Sequence, residues 1–186
     1  MIYAIRLLAA SSGILGGTLW CMLLLYAMFG VERVTSQGFD ELYLAIPFFL
    51  FLAFLLAPLT IFYSRDSHWL GWAGSSLSLV GLLLVLNYTF TGMFPNSLGD
   101  WSQFVLGFNL LGVGLLLTGA SFLTTYPGNQ GIPLMVLGVI SFSFIATITT
   151  GTATFQGVLI PLVGILFGIG WVWSGFALFR YDVNWR

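Results

Sequence analysis

Apolar residues run through the chain in long stretches that are separated by a few charged positions. The charged residues are Arg6, Glu32, Arg33, Asp40, Glu41, Arg65, Asp66, Asp100, Arg180, Asp182 and Arg186. A membrane-spanning helix needs about 20 mostly apolar residues, and a charge at its centre costs about 2.5 kcal/mol or more. The gaps between the charges therefore predict where spanning helices lie.

These gaps predict six helices in one integral-membrane domain that covers residues 1–186. Their predicted ranges are 5–30, 42–64, 69–92, 102–124, 133–151 and 157–179. A strong turn signal at Tyr126–Gly131 and a weaker break from Gly151 to Gly157 divide the last three. The fifth helix is the shortest, and a re-entrant or interfacial segment is the alternative there. The loops are too short for an extramembrane domain.

Composition favours a chain that faces lipid over most of its surface. Hydrophobic residues make up 59% of the chain and charged residues only 6%, whereas soluble domains carry about 25% charged residues. The apolar stretches far exceed the ~10-residue alternating segments of a transmembrane β-barrel. We therefore expect an all-α, polytopic transmembrane helix bundle. The first stretch is predicted to be an uncleaved helix, because no clear signal-peptidase site closes it.

The arginines predict the orientation in the cell membrane. Cytoplasmic loops of membrane proteins carry an excess of positive residues. With six spans and a cytoplasmic N-terminus, Arg6, Arg65, Arg180 and Arg186 lie inside and only Arg33 lies outside. Both termini are therefore predicted to be cytoplasmic.

The titratable residues do not form a recognisable catalytic or cofactor pattern. The chain has one histidine, His68, one cysteine, Cys21, and a net charge of −1 without any lysine. Two-histidine haem ligation within one chain and cysteine-rich metal sites are therefore excluded, and no basic patch favours nucleic acid. Asp66 and His68 could share a metal with a partner chain, but we expect them to belong to a polar interfacial loop. We predict a non-enzymatic protein without a cofactor, to which lipid can bind.

Small residues recur at helical spacing in the first and the last predicted helix. Ala9, Gly13 and Gly17 lie four residues apart, and so do Gly164 and Gly168. Small residues at this spacing let the backbones of two membrane helices approach closely. These positions form the candidate packing face, which contacts either another part of this chain or another subunit.

Uncharged polar residues inside the predicted spans are the second candidate. Asn87 and Asn109 should face the interior of the bundle, because an unpaired amide costs a few kcal/mol in hydrocarbon. Four hydroxyl residues are predicted on one helical face, namely Ser143, Thr147, Thr150 and Thr154. These six residues serve either as interhelical contacts or as the polar lining of a solute path.

Three functions agree with this pattern. The first is an accessory or structural subunit that acts through helix packing with other membrane subunits or with itself. The second is a small transporter or channel for a neutral or apolar solute. The polar residues support it, and so does the predicted second span, which Pro47 and Pro58 are expected to kink. The third is a subunit that binds a lipid, a quinone or a pigment.

Overall fold

The computed structural model describes residues 2–28, 69–92, 101–125, 131–150 and 153–180. They form five α-helices, which are α1 (Ile2–Met28), α2 (Trp69–Gly92), α3 (Trp101–Thr125), α4 (Ile132–Thr150) and α5 (Ala153–Phe179). The all-α prediction is confirmed over these residues, where no strand occurs. Each helix matches one predicted span to within four residues at both ends. The predicted span 42–64 lies outside the described residues.

Three of these helices are long and apolar enough to cross a membrane. Their apolar stretches are Trp69–Tyr88 in α2, Trp101–Thr124 in α3 and Leu159–Phe179 in α5. The apolar stretches found in α1 and α4, Leu7–Met22 and Ile132–Thr147, are shorter than the ~20 residues that a bilayer core requires. The described helices therefore support a helical protein with three candidate spans, and the count of six is not established by them.

The helices pack side by side in one row, in the order α1, α5, α4, α3, α2. Among the described residues, the backbone of α1 lies close only to that of α5, and the backbone of α2 lies close only to that of α3. The two ends of the row are therefore the helices that precede and follow residues 29–68 in the sequence.

Neighbouring helices in the row are antiparallel. Gly81 of α2 lies against Gly107 near the start of α3, whereas Gly74 lies against Gly114 further along it. In the pairs α3–α4 and α1–α5, too, later residues of one helix lie against earlier residues of the other. Only residues 151–152 separate α4 from α5 in the sequence. The starts of α1, α2 and α4 thus lie at one end of the bundle, here called the Trp69 end. The opposite end is called the Trp101 end.

The hydrophobic core lies where α3, α4 and α5 meet. Phe108 of α3 packs against Phe144 of α4, with ring centroids 5.2 Å apart, and against Phe167 of α5, with centroids 6.0 Å apart. Leu115 and Leu137 beside them are almost fully buried. Aromatic and leucine side chains therefore fill the middle of the row.

A proline lies inside α5. The sequence places Pro161 near the start of the predicted span at 157, where proline is tolerated. However, α5 begins at Ala153, so Pro161 lies more than two turns into the helix. Proline has no amide hydrogen to donate to the carbonyl four residues earlier, and it therefore favours a kink at this point.

Candidate functional site: the glycine contacts between helices

The predicted glycine faces of the first and last helices lie against each other. A Cβ atom built on Gly17 would lie 2.5 Å from the carbonyl oxygen of Gly168. One built on Gly168 would lie 2.8 Å from the carbonyl oxygen of Gly17. Because real Cβ atoms do not approach other heavy atoms within 3.0 Å, the two backbones touch at a distance that only glycine permits.

The other members of this face have looser or different contacts. A Cβ atom on Gly13 would meet the Trp171 carbonyl oxygen at 3.5 Å, which is ordinary van der Waals contact. One on Gly164 would meet Cδ1 of the Leu24 side chain at 2.5 Å. Ala9 is buried.

Three further contacts at this interface were not predicted from the sequence. The Ala10 carbonyl oxygen lies 2.7 Å from a Cβ position on Gly175. The Trp20 indole Nε1 donates a hydrogen bond of 2.9 Å to the Gly164 carbonyl oxygen, and Cys21 Sγ lies 3.5 Å from the Ile165 carbonyl oxygen. The indole hydrogen bond joins a side chain of α1 to the backbone of α5, so this interface has a directional interaction in addition to its packing contacts.

Close backbone contacts at glycine also form the interface between α2 and α3. A Cβ atom on Gly81 would lie 2.5 Å from the Gly107 carbonyl oxygen. One on Gly114 would overlap both Oγ and the amide nitrogen of Ser78, and would lie 2.5 Å from the Gly74 carbonyl oxygen. Gly74 and Gly114 therefore hold the two backbones together at one level, and Gly81 and Gly107 do so two turns away.

The opposite side of α3 uses glycine in the same way against α4. A Cβ atom on Gly138 would lie 2.7 Å from the Gly112 carbonyl oxygen. One on Gly119 would lie 2.6 Å from the Gly131 carbonyl oxygen. Two pairs of glycines on different sides thus let α3 approach both of its neighbours.

The recurring spacing at these contacts is seven residues rather than four. Two turns at 3.5 residues per turn return a side chain to the same face of a helix that wraps around its neighbour. The glycine pairs with this spacing are Gly74 and Gly81, Gly107 and Gly114, Gly112 and Gly119, Gly131 and Gly138, and Gly168 and Gly175. A search of the sequence for small residues at intervals of seven would have found all of them.

Asn87 does not face the interior of the bundle. Its side chain is exposed, and its Nδ2 donates a hydrogen bond of 2.9 Å to Oε1 of Gln103 in α3. Asn87 lies five residues before the end of α2, or about 8 Å at 1.5 Å per residue. This amide pair therefore lies close to the Trp101 end, where it needs no buried partner.

Asn109 is half-buried and satisfies part of its polarity within its own helix. Its Nδ2 donates a hydrogen bond of 2.9 Å to the Val105 carbonyl oxygen, four residues earlier in α3. The structure therefore does not bring Asn87 and Asn109 together in one polar site.

The four predicted hydroxyl residues do not share one helical face. Ser143 is exposed and donates to the Val139 carbonyl oxygen at 3.1 Å, and Thr147 donates to the Ser143 carbonyl oxygen at 2.7 Å. The Thr150 side chain lies outside the described residues. Thr154 lies in α5, because α4 ends at Thr150. Gly151 follows α4, and glycine commonly ends a helix.

Within the described ranges, no three His, Cys, Asp or Glu side chains lie close enough to hold a metal ion. Asp66 and His68, the residues that could share a metal with a partner chain, lie outside these ranges. Comparison with known proteins found no matching family model, no matching curated protein and no matching solved structure.

Proposed function

We propose that this chain is a non-enzymatic, multi-pass protein of the cell membrane, an accessory or structural subunit that acts through helix packing. The observation that carries the proposal is the set of glycine contacts along the row. Lipid removes the hydrophobic drive between helices, and close backbone packing takes its place. A protein whose described helices meet in this way is suited to hold membrane segments at fixed positions.

The placement of the polar side chains also supports a packing role. Asn109, Ser143 and Thr147 each donate to a carbonyl of their own helix, and Asn87 pairs with Gln103 close to a helix end. Hydroxyl groups bonded in this way are inexpensive in a membrane helix. Each of these four side chains therefore has a hydrogen-bond partner within the chain.

The proposed topology has six crossings with both termini in the cytoplasm. The described helices alternate in direction, and Met28 ends α1 at the Trp101 end whereas Trp69 begins α2 at the opposite end. The 40 residues between them must therefore cross the bilayer an odd number of times if the described helices span it. One crossing, near residues 42–64, brings the total to six. Arg6, in the first turns of α1, and Arg180, the residue after α5, then both lie at the Trp69 end.

Cysteine labelling tests this topology. In a Cys21→Ser background, single cysteines at Gln37 and Ser97 should react with an impermeant maleimide applied to intact cells. A cysteine at Asn129 should react only after the cells are opened, because it follows α3 at the Trp69 end. Labelling of the Asn129 position from outside would overturn the assignment.

Purification in mild detergent tests the proposed function. We expect the full chain to copurify with a membrane partner in a fixed ratio or to form a defined homo-oligomer, because either assembly would use helix packing. Quantitative mass spectrometry of the purified complex gives the ratio. A monodisperse monomer that carries a stoichiometric quinone, pigment or lipid would instead support the third function of the sequence analysis.

Transport of a neutral solute is the second candidate, and the hydroxyl residues of α4 allow a direct comparison. Replacing Thr147 and Thr150 by valine keeps their shape and removes two hydroxyls. Because the Thr147 hydroxyl bonds a carbonyl of its own helix, we expect the free energy of unfolding to fall by no more than about 0.6 kcal/mol per site, the average for a polar contact between membrane helices. Subunit assembly should be unchanged. A double variant that folds like the parent but loses uptake of a neutral solute would favour transport.

A further inference from the structure

Reciprocal glycine contacts divide the described helices into two groups. In the first group, α1 and α5, the carbonyl oxygens of Gly17 and Gly168 lie 2.8 and 2.5 Å from the Cβ position on the opposite glycine, respectively. In the second group, α3 makes contacts of this kind with α2, at Gly81 and Gly107, and also with α4. Helices whose backbones touch cannot be displaced singly without a clash or a gap. Each group, here called the α1–α5 unit and the α2–α3–α4 unit, should therefore move as one body.

The contact between α4 and α5, which joins the two units, is of a different kind. Gly170 of α5 lies against α4, but the atoms nearest to its Cβ position are Cδ2 and Cγ of the Leu137 side chain, at 2.7 and 2.9 Å. Among the described glycines of α4 and α5, none has a backbone atom of the other helix among its nearest neighbours. A leucine side chain can change its rotamer, so this contact, here called the seam, can adjust without a movement inside either unit.

Movement at the seam is restricted at the Trp101 end. There α4 ends at Thr150 and α5 begins at Ala153, so the chain ties the two helices together. Phe108 and Phe144 lie within two turns of the ends of α3 and α4 on this side, and the Phe108 ring also packs against Phe167 of α5. The seam can therefore open only towards the Trp69 end.

Pro161 provides a bending point in α5 near the tied end. It lies between Ala153, where the helix begins, and Gly164. The close contacts between α1 and α5 involve residues of α5 from Gly164 to Gly175. Because proline removes a hydrogen bond of the helix, bending is easiest at this point. The part of α5 that packs against α1 can therefore tilt relative to its own first turns.

We propose that the bundle contains a hinge, at which α1 and the part of α5 after Pro161 tilt as one body against the α2–α3–α4 unit. The seam between α4 and α5 then opens at the Trp69 end and stays closed at the Trp101 end. Hinge motions of this kind move packed units while the contacts inside each unit are kept. In the proposed topology the Trp69 end is cytoplasmic, so the opening faces the cytoplasm.

Distances between pairs of spin labels test the hinge in the full chain. In a Cys21→Ser background, labels are attached to cysteines at exposed positions, and pulsed electron paramagnetic resonance in bilayer nanodiscs gives the distribution of distances for each pair. Leu8→Cys with Val136→Cys joins α1 to α4 across the seam near the Trp69 end. Met22→Cys with Ser143→Cys joins the same two helices near the Trp101 end.

The matched control lies within one unit. Ser76→Cys with Val136→Cys joins α2 to α4 near the Trp69 end, again with one helix between the labelled helices. We expect the Leu8–Val136 distribution to be at least about twofold wider than the other two, because only this pair spans the opening. Equal widths in all three pairs would overturn the proposal. Equal broadening at Met22–Ser143 would exclude a pivot at the Trp101 end, and broadening at Ser76–Val136 would exclude a rigid α2–α3–α4 unit, so either result would overturn it as well.

A substitution in the seam gives a second measurement. Leu137→Ala removes the side chain that lies against Gly170, so it should widen the Leu8–Val136 distribution further and leave the Ser76–Val136 distribution unchanged. Equal widening of both would indicate a general loss of packing and would contradict the assignment of the seam. Neither measurement depends on whether the protein is a packing subunit or a transporter, so the hinge and the proposed function can fail separately.

Discussion

A Gly114→Ala variant should lose about 3 kcal/mol of unfolding free energy, the upper part of the usual range for overpacking. The added methyl group would overlap Ser78 Oγ and the Ser78 amide nitrogen, and would meet the Gly74 carbonyl oxygen at 2.5 Å. Two of these three atoms are backbone, so only a shift of α2 away from α3 can make room. Such a shift would also separate Gly81 from Gly107. Reversible unfolding in mixed micelles measures the effect.

Gly112→Ala is the matched control in the same helix. Its Cβ would meet Cζ of the Phe142 ring at 3.0 Å and the Gly138 carbonyl oxygen at 3.1 Å. A ring can turn and a few tenths of an ångström suffice here, so we expect a loss below about 1 kcal/mol. Equal losses in the two variants would mean that backbone contact between α2 and α3 does not limit the stability of the bundle.

Gly17→Ala should also destabilise the protein, with a loss of about 2 kcal/mol of unfolding free energy. The new Cβ would lie 2.5 Å from the Gly168 carbonyl oxygen and 2.9 Å from the Trp171 Cβ. The resulting separation of α1 from α5 would also lengthen the hydrogen bond from Trp20 to Gly164. Unfolding free energy and the tryptophan emission maximum should therefore change together.

Gly13→Ala separates this prediction from a general effect of alanine. Gly13 lies one turn from Gly17 on the same side of α1, but its Cβ would make only ordinary contacts at 3.5 and 3.6 Å. Alanine also favours the helix by up to about 1 kcal/mol over glycine in water. We expect Gly13→Ala to stay within about 0.5 kcal/mol of the parent or to be more stable. A loss equal to that of Gly17→Ala would contradict the distances between α1 and α5.

The predicted helix positions depend on local properties of the sequence, which explains their accuracy. The range 69–92 agrees at both ends with α2, and 102–124 agrees within one residue with α3. Charged and turn-forming residues delimit both ranges, and their effect on helix ends acts over a few residues. The weak break from Gly151 to Gly157 was placed less accurately, so Thr154 was assigned to the wrong helix.

The candidate packing face was identified from the sequence only in part. Gly17 and Gly168 were singled out by their spacing, and the structure places them in backbone contact. The sequence does not indicate that the Ala10 carbonyl oxygen lies against Gly175, because that contact depends on the alignment of α1 with α5. It also does not indicate that Asn87 pairs with Gln103, since that pair depends on the alignment of α2 with α3.

By itself, then, the sequence determined the helical class, the ends of most helices and the kind of residue available for close packing. These follow from apolar length, charge position and glycine content, which are local quantities. Only the tertiary structure decided the order of helices in the row and the partner of each glycine. Those features depend on the register between segments that are far apart in the chain, as for Gly17 and Gly168. A displacement of a single residue would turn a glycine contact into a clash, because adjacent positions of a helix point about 100° apart.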